Sequence, residues 1–328
     1  MDTAAPARPR VLLADDHSDV LESVSRHLAA AFDIVATAAD GRQALDLARR
    51  LRPDVVVLDV AMPESNGFQT LEQLRRDDPD TRVVFLTTHS EDEFVAAAIN
   101  GGAHGYVLKS RIFLDLIGAI DHALAGRLFV PSLTSLSTVA GNRHTVLFHA
   151  DDRRYLDEVS QLVATTLRAG EQVVLVTNEG TRNDVAERLQ ARQLDLAMLT
   201  ERGHYVAQDS TLALSQLIHD GRPDKERLAE MIRGLDRLRL AGPNGSRGRL
   251  TIVGAMSATL CGNGEFEAAQ TLERMWDELT RPLPFFTVCS YPINCFAHAE
   301  GRHQLSGVCA AHSAVTSGNS SKRARGIN

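Results

Sequence analysis

The stretch Val11-Leu-Leu-Ala-Asp-Asp-His17 decides the fold of the first part of this chain, because it is a short apolar run that ends in two carboxylates. Four further runs rich in Val, Ile and Leu have strand length: Ile34–Ala38, Val55–Leu58, Val83–Leu86 and Tyr106–Leu108. Amphipathic stretches of helical period alternate with them: Val20–Ala30, Gln43–Arg50, Phe68–Arg75, Glu93–Asn100 and Phe113–Leu124. Strict alternation of strand and helix predicts an α/β fold whose parallel sheet is covered by helices on both faces.

Polar side chains end four of these predicted strands, at the sheet edge where ligands bind in open parallel sheets. Asp15 and Asp16 follow the first strand, Asp59 the third, Thr87 the fourth and Lys109 the fifth. Three carboxylates at one edge repel one another unless a hard cation joins them, and Mg²⁺ prefers oxygen ligands. A carboxylate beside such a cation can accept a phosphoryl group, whose oxygens the lysine and the threonine hydroxyl can then bind.

These residues resemble the receiver domain of bacterial two-component response regulators, nearest to the NarL/FixJ kind. The matching stretches are Val11 to His17, Val57-Leu-Asp-Val-Ala-Met-Pro63 through Gly67, Leu86-Thr87, and Gly102-Ala-His-Gly-Tyr-Val-Leu-Lys-Ser110. The resemblance implies a (βα)5 flavodoxin-like domain that a sensor histidine kinase or phosphotransfer protein phosphorylates on Asp59. It implies that Mg²⁺ is held by Asp15, Asp16, Asp59 and the backbone carbonyl of Ala61. Thr88 departs from the pattern, since many receivers have a smaller residue there.

The resemblance also implies how phosphorylation is transmitted. Lys109 would bind the phosphoryl group, and Thr87 and Tyr106 would act as a switch pair. The switch would repack the face that carries the Glu93–Asn100 helix, through which receivers commonly form homodimers.

The second half of the chain alternates in the same way. Its predicted strands are Thr145–Phe148, Val173–Thr177, Thr251–Gly254 and Phe285–Ser290, and its predicted helices are Leu156–Leu167, Arg182–Ala191, Leu212–His219, Glu226–Leu240 and Phe266–Leu279. We therefore predict a receiver domain over residues 10–130, a linker over 131–143 and a second α/β domain over 144–315. Residues 1–9 and 316–328 are expected to be disordered ends.

Charge argues against a nucleic-acid-binding domain. Of 35 Lys+Arg and 42 Asp+Glu residues, residues 1–131 hold 13 and 20, so the remainder holds 22 of each. Neither part has the excess of positive charge that is typical of DNA-binding domains, so nucleic acid is not an expected partner. No apolar run reaches the ~18 residues of a membrane span, and no secretory signal precedes the first strand, which predicts a cytoplasmic protein without a membrane partner.

The second half does not carry a phosphate-binding loop. The pattern G-x-x-x-x-G-K-[ST] does not occur, and the turn Ala150–Arg154 places Asp151 and Asp152 where phosphate charge would lie. Those acids favour the helix dipole and repel an anion. ATP hydrolysis is not expected, and the chain is not predicted to be an enzyme beyond receiver self-phosphorylation and autodephosphorylation.

This half resembles the MEDS domain, the sensory module of DcmR-like regulators of methylotrophs and methanogens. The matching stretches are His144-Thr-Val-Leu-Phe-His-Ala-Asp-Asp152, Leu167-Arg-Ala-Gly-Glu171, Gly264 to Trp276-Asp-Glu-Leu279, Pro284-Phe-Phe to Tyr291-Pro292, and Ala310-Ala-His-Ser-Ala-Val315. The resemblance implies a RecA/KaiC-like α/β domain that lacks the phosphate loop and senses a small molecule or a partner protein. Ala255 stands where the family pattern has Glu, so any role of that Glu is absent here.

Three alternatives stay open for the polar and aromatic residues of this half. Thiols and imidazoles that a soft metal could bind fall within 24 residues: Cys289, Cys295, His298, His303, Cys309 and His312. A structural role is the competing reading, with His144 and His312 making polar contacts or lining a pocket. An apolar ligand pocket lined by Met256, Phe285, Phe286 and Tyr291 is the third, and Trp276 is expected in the core.

The sequence thus predicts a phosphorylation-controlled response regulator whose output is a ligand- or protein-binding MEDS-like domain. The alternative is a transcriptional regulator whose C-terminal region contacts DNA or the transcription machinery.

Overall fold

A computed structural model describes residues 7–133, 137, 143–149, 151–242, 248–296, 307–308 and 310–317. The chain divides into two compact units, Met1–Pro131 and Ser132–Asn328, and each is described by itself.

The first unit is built on a parallel sheet of six strands. They are β1 (Arg10–Ala14), β2 (Asp33–Ala38), β3 (Val55–Leu58), β4 (Arg82–Thr87), β5 (Gly105–Leu108) and β6 (Leu128–Val130). They lie in the order β2-β1-β3-β4-β5-β6, and every pair is parallel. The order reverses between β1 and β3, so the crevice in which flavodoxin-like sheets bind ligands opens beyond these two strands.

Five helices connect the strands of this sheet. They are α1 (Ser18–Leu28), α2 (Gly41–Leu51), α3 (Gly67–Asp77), α4 (Asp92–Asn100) and α5 (Ile112–Leu124). α3 begins with a capping box, in which Asn66 accepts from the Gln69 amide and the Gln69 side chain accepts from the Asn66 amide. All four residues of β3 are buried, as expected for a central strand between two helical layers.

The second unit has its own parallel sheet. Its strands are β7 (Arg143–His149), β8 (Gln172–Thr177), β9 (Tyr205–Asp209), β12 (Leu250–Gly254), β13 (Phe285–Pro292) and β14 (Ala314–Ser317), with a short antiparallel pair, β10 (Ile218–His219) and β11 (Arg222–Pro223). The sheet order is β14-β7-β13-β12-β8-β9, and every one of these pairs is parallel.

Seven helices pack around this second sheet in the described residues. They are α6 (Asp152–Arg168), α7 (Glu179–Ala191), α8 (Leu196–Glu201), α9 (Ser210–Leu217), α10 (Lys225–Ala241), α11 (Met256–Gly262) and α12 (Phe266–Thr280). Leu272 and Trp276 of α12 are both buried in the core of this unit, so the predicted core position of Trp276 is observed. The Trp276 indole donates a hydrogen bond to Thr287 Oγ1 at 3.2 Å.

The predicted α/β class is confirmed, and the differences concern short elements and domain ends. The pattern did not predict β6, β9, β10, β11, β14, α8 or α11. β7 begins at Arg143, inside the predicted linker, because Arg143 pairs with Phe286 of β13. β14 continues past the predicted boundary at 315, because Thr316 and Ser317 pair with β7. Most of the predicted linker and disordered ends lies outside the described residues.

Among the residues that the structure describes, no helix is both long and apolar enough to cross a membrane.

Candidate functional site

Two buried carboxylates and one lysine meet at the carboxyl edge of the first sheet. Asp15 directly follows β1 and Asp59 directly follows β3, and each is only 3% exposed. Lys109 directly follows β5, and its ammonium lies 2.6 Å from Asp15 Oδ2 and 2.8 Å from Asp59 Oδ2. Burial alone lowers the pKa of Lys109, but the hydrogen bonds to the two carboxylates outweigh it and leave this pKa above its ordinary value.

Backbone amides hold the other oxygen of each carboxylate. The His17 amide donates to Asp15 Oδ1 at 3.0 Å, and the Val60 amide donates to Asp59 Oδ1 at 2.7 Å. Each carboxylate is therefore oriented by the chain that follows its own strand, and its second oxygen faces the crevice.

The donor set fits a hard divalent cation. The two buried carboxylates carry more negative charge than the one ammonium cancels, and Asp16, which is exposed, adds a third carboxylate beside them. The Asp16 carboxylate contacts the imidazole of His17 at 2.7 Å. Together the three carboxylates give the site an oxygen-rich, partly exposed surface of the kind that Mg²⁺ prefers. Binding by the Ala61 carbonyl stays a prediction.

Gly67, the first residue of α3, lets the loop after β3 close over Asp59. A Cβ atom at this position would lie 2.3 Å from the Asp59 carbonyl oxygen and 2.8 Å from Cε1 of Phe85. The Gly67 amide donates to the Val60 carbonyl at 2.9 Å. A side chain here would therefore displace the backbone of Asp59 itself.

The two predicted switch residues, Thr87 and Tyr106, are both fully buried and are connected through His89. The Tyr106 hydroxyl donates to the His89 carbonyl at 3.0 Å, and the His89 amide donates to Thr87 Oγ1 at 3.4 Å. The His89 ring stacks on Phe94 of α4, with ring centroids 4.5 Å apart. His89 was not singled out in the sequence, because it lies in a loop and only its backbone makes both hydrogen bonds.

In the second unit, the turn after β7 uses its acidic residue as a helix cap. Asp151 Oδ1 accepts hydrogen bonds from the amides of Arg153 and Arg154 at 2.9 and 3.4 Å. These are amides that a phosphate would need at the start of α6. The Asp151 carboxylate therefore already lies where a bound phosphate would accept hydrogen bonds from these amides.

A buried polar cluster, formed by His144, Glu273, Cys289 and His312, lies in the core of the second unit. His144 Nε2 is 3.0 Å from Glu273 Oε2 and 3.2 Å from Cys289 Sγ. Cys289 Sγ and His312 Nε2 each lie 3.4 Å from the same Glu273 oxygen. Burial raises the pKa of the Cys289 thiol to about 12, so by itself this thiol is not a nucleophile.

The cluster contains two of the six thiols and imidazoles that the sequence singled out as possible metal ligands. Cys289 and His312 do come together, but with His144 and Glu273 rather than with Cys295, which is not part of the group. His298, His303 and Cys309 lie outside the described residues.

A small cavity of about 40 Å³ adjoins the cluster. Glu273 and Cys289 line one side of it, and the rest is mainly apolar, with Val174, Leu272 and Trp276 among the lining residues. Of the four residues predicted to line a pocket, Met256 does so, whereas Phe285, Phe286 and Tyr291 are buried in the core and do not line this cavity. Their side chains fill the space between strands and helices instead.

Two family models match this chain, one within each of its two compact units. A family model for the response regulator receiver domain matches residues 11–121. A second family model, MEDS (methanogen/methylotroph, DcmR sensory domain), matches residues 143–313.

Three relatives illustrate how far the likeness extends. Response regulator GacA of Pseudomonas viridiflava is 37% identical over 123 residues, which cover 37% of this chain and 58% of GacA. The uncharacterized transcriptional regulatory protein YxjL of Bacillus subtilis is 31% identical over 184 residues, covering 55% of this chain and 80% of YxjL. The solved signal receiver domain of NarL from Mycobacterium tuberculosis is 34% identical, with a TM-score of 0.36, and covers 37% of this chain and 100% of that chain. The chain thus spans little more than half the length of GacA.

Proposed function

Because the chain belongs to the response regulators and carries a MEDS domain after its receiver domain, we propose that Asp59 is its phosphoacceptor and the MEDS domain its output. The observation that carries the proposal is the meeting of Asp15, Asp59 and Lys109 at the ends of β1, β3 and β5. Receiver domains take part in two-component signalling, so the donor is a histidine kinase or a phosphotransfer protein.

In the proposed reaction a carboxylate oxygen of Asp59 attacks the phosphorus of a phosphohistidine. The P–N bond breaks, the imidazole leaves, and Asp59 becomes an acyl phosphate. Asp15, Asp16, Asp59 and the Ala61 carbonyl would hold Mg²⁺, which would supply positive charge to the phosphoryl oxygens. Lys109, already 2.8 Å from Asp59 Oδ2, needs only a small movement to bind one of them.

The switch proposal follows from the contacts of His89. When the Thr87 hydroxyl turns to the phosphoryl group, its hydrogen bond to the His89 amide breaks. The loop at His89, which contacts Tyr106 and Phe94, is then free to move. Because Phe94 belongs to α4, this movement couples the acyl phosphate to that helix.

For the MEDS domain we propose binding of a small uncharged molecule or of a protein, without catalysis. The cavity beside the cluster is mainly apolar, and the start of α6 is closed to anions by Asp151. Both features favour an uncharged ligand over a nucleotide.

Mass spectrometry tests the acceptor. The full-length chain, treated with acetyl phosphate and Mg²⁺, should gain one phosphate, and Asp59→Asn should gain none. Label that persists in Asp59→Asn would overturn the assignment, and Asp54→Asn, which changes an aspartate before β3, is the matched control that should stay labelled.

The output is tested by comparing what the phosphorylated chain and Asp59→Asn capture from the native extract. A partner recovered only with phosphorylated protein supports output by protein binding. Equal recovery of every partner by both forms would contradict phosphorylation-controlled output through a protein.

Calorimetry tests whether Asp151, which caps the start of α6, prevents a nucleotide phosphate from binding there. We expect no micromolar ATP binding to the full-length chain when Mg²⁺ is matched in cell and syringe. Micromolar binding that Arg153→Ala and Arg154→Ala abolish would restore a nucleotide-binding function.

DNA binding is the second candidate function, because YxjL, which aligns over 184 residues, is described as a transcriptional regulatory protein. A salt-dependent mobility shift of promoter DNA by the full-length chain would favour it. The balanced charge of residues 132–328 places it behind the first proposal.

A further inference from the structure

We propose that His144, Glu273, Cys289 and His312 form a binding site for one four-coordinate transition-metal ion, and that Zn²⁺ fits the donors best. The site lies wholly within the second unit, and the proposal does not rest on phosphorylation of Asp59. Two imidazoles, one thiolate and one carboxylate are all accepted ligands of zinc in proteins.

The spacing of the four ligand atoms approximates the edges of a coordination tetrahedron. Ligands bound to zinc at ~2.0–2.3 Å lie roughly 3.3–3.7 Å from one another in a regular tetrahedron. Four of the six separations here are 3.0, 3.2, 3.4 and 3.4 Å, and all of them are within 4.8 Å. Small rotations of the side chains are enough to open the cluster around a central ion.

The two imidazoles are already oriented as metal ligands. Both turn Nε2 toward Glu273, and His312 Nδ1 donates a hydrogen bond to the Val308 carbonyl at 2.7 Å. His144 Nδ1 makes no hydrogen bond in the described residues, and Asp277 Oδ1 lies 3.8 Å from it. Ligating histidines in proteins almost always have such an outer partner, because it selects the tautomer that offers a lone pair to the metal.

The carboxylate is oriented in the same way. The Tyr291 hydroxyl donates to Glu273 Oε1 at 2.5 Å, which leaves Oε2 directed at the cluster. Glu273 and His312 therefore each have an outer hydrogen bond that points the ligating atom inward.

Charge and hydrogen bonding explain why an ion belongs at the centre. His312 Nε2 is buried and makes no hydrogen bond in the described part of the chain, although it lies 3.4 Å from Glu273 Oε2. The Cys289 thiol donates its proton toward the same oxygen. A divalent cation would replace that proton: the thiol is lost as a donor, an S–metal bond forms, and the proton leaves to solvent.

A buried Cys–His catalytic pair is the competing interpretation of these contacts. The thiol and imidazole are within 3.2 Å, but the His144 side chain is only 3% exposed, so the imidazole that would act as the catalytic base has little access to a substrate. Metal binding, unlike catalysis, needs no contact between the imidazole and a substrate.

Cobalt substitution tests the site in the full-length chain. Protein stripped of metal under reducing conditions is titrated with Co²⁺ in excess Mg²⁺, which occupies oxygen sites such as that at Asp15 and Asp59. One equivalent should produce the near-ultraviolet charge-transfer band of a Co²⁺–thiolate bond, and Zn²⁺ should abolish it. A wild-type chain that gives no such band would overturn the proposal, whatever the variants do.

Two cysteine variants test which thiol binds the metal ion. Cys289→Ser should lose the charge-transfer band, whereas Cys295→Ser, which changes a half-buried thiol outside the cluster, should keep it. A band that survives in Cys289→Ser would place the metal elsewhere. If Cys289→Ser does not fold, the same comparison is made with His312→Gln, which should weaken Co²⁺ binding at least tenfold.

Tyr291→Phe tests the positioning role of the outer contact. It keeps all four ligands, so the charge-transfer band should remain while the affinity for Zn²⁺ falls by roughly 10–100-fold. An unchanged affinity would contradict the role assigned to Tyr291.

Discussion

At the scale of single residues, Lys109 joins two carboxylates that would otherwise repel each other in a buried crevice. We infer two roles for Lys109: it stabilises the unphosphorylated fold, and it holds positive charge where the proposed phosphoryl group would arrive.

Replacing this lysine should destabilise the receiver domain. Lys109→Met leaves Asp15 and Asp59 unpaired and should lower the free energy of unfolding by roughly 2–3 kcal/mol, less than for a fully buried pair because the Lys109 side chain is 14% exposed. Urea denaturation without Mg²⁺ measures the loss, and added Mg²⁺ should stabilise the variant more than the wild type. Arg26→Met, which breaks an exposed pair with Glu22, should have little effect, and an equal loss in both variants would contradict the argument.

Gly67 should tolerate no side chain. Gly67→Ala forces a Cβ against the Asp59 carbonyl and should cost about 1–3 kcal/mol of stability, while slowing phosphorylation by acetyl phosphate. Gly118→Ala is the matched control, because nothing lies within 4 Å of its Cβ position in helix α5, and it should be neutral or stabilising. Wild-type stability and phosphorylation in Gly67→Ala would show that the loop can relax.

The sequence predicts one of the two sites far better than the other. Asp15, Asp59 and Lys109 each directly follow a buried strand, so their meeting at the sheet edge follows from chain order and strand direction alone. Glu273 lies in the middle of helix α12, where a glutamate ordinarily indicates a solvent-exposed face. Its burial depends on how that helix packs on Tyr291 and Cys289, and no local spacing encodes this packing.

At the scale of elements, strands with long apolar runs could be predicted and short mixed ones could not. β9 has the sequence Tyr-Val-Ala-Gln-Asp and only its first residue is buried, so its pattern resembles a loop. β14 has the sequence Ala-Val-Thr-Ser, which is too short for a clear strand pattern although Val315 and Thr316 favour strands, and its place is set by pairing with β7. In both cases a long-range partner decides the structure.

Helix α4 should respond to phosphorylation. Beryllofluoride with Mg²⁺, a mimic of the phosphoryl group, should change hydrogen exchange in the segment from His89 through Asp92–Asn100, since His89 connects Thr87 and Tyr106 to Phe94. Helix α2, Gly41–Leu51, shares none of these contacts and is the internal reference. Exchange that stays flat in α4, or that changes equally in both helices, would contradict the coupling.

At the scale of the whole molecule, the two sites belong to different compact units and use different chemistry. The first has oxygen donors and an ammonium, which suit Mg²⁺ and phosphate. The second has two nitrogen donors and one sulfur donor beside a single carboxylate oxygen, a set that suits a softer ion. We therefore expect each ion to bind preferentially to one of the two units.

Each of the two units should be stabilised by a different ligand. Proteolysis at rising temperature, read by mass spectrometry, should show that Mg²⁺ with beryllofluoride protects peptides of residues 7–131. Zn²⁺ should protect peptides of residues 143–317, and either ligand at 100 times its dissociation constant should stabilise its unit by about 2.7 kcal/mol. Asp59→Asn should lose the first effect only and Cys289→Ser the second only. Loss of both effects in either variant would contradict the assignment of the sites to separate units.

The position of β7 has a consequence for how the protein is made. β7 is the first strand of its sheet to leave the ribosome, yet its neighbours on both sides, β13 and β14, are the last two. His144 and Ser313, which bond each other through backbone and side chain, are 169 residues apart in the chain. The nascent second domain must therefore keep Val146 and Leu147, which are fully buried in the finished fold, without their strand partners during most of its synthesis. Folding of this half is expected to be slow and post-translational, and a prematurely terminated chain would expose an apolar strand open on both edges to aggregation or chaperone capture.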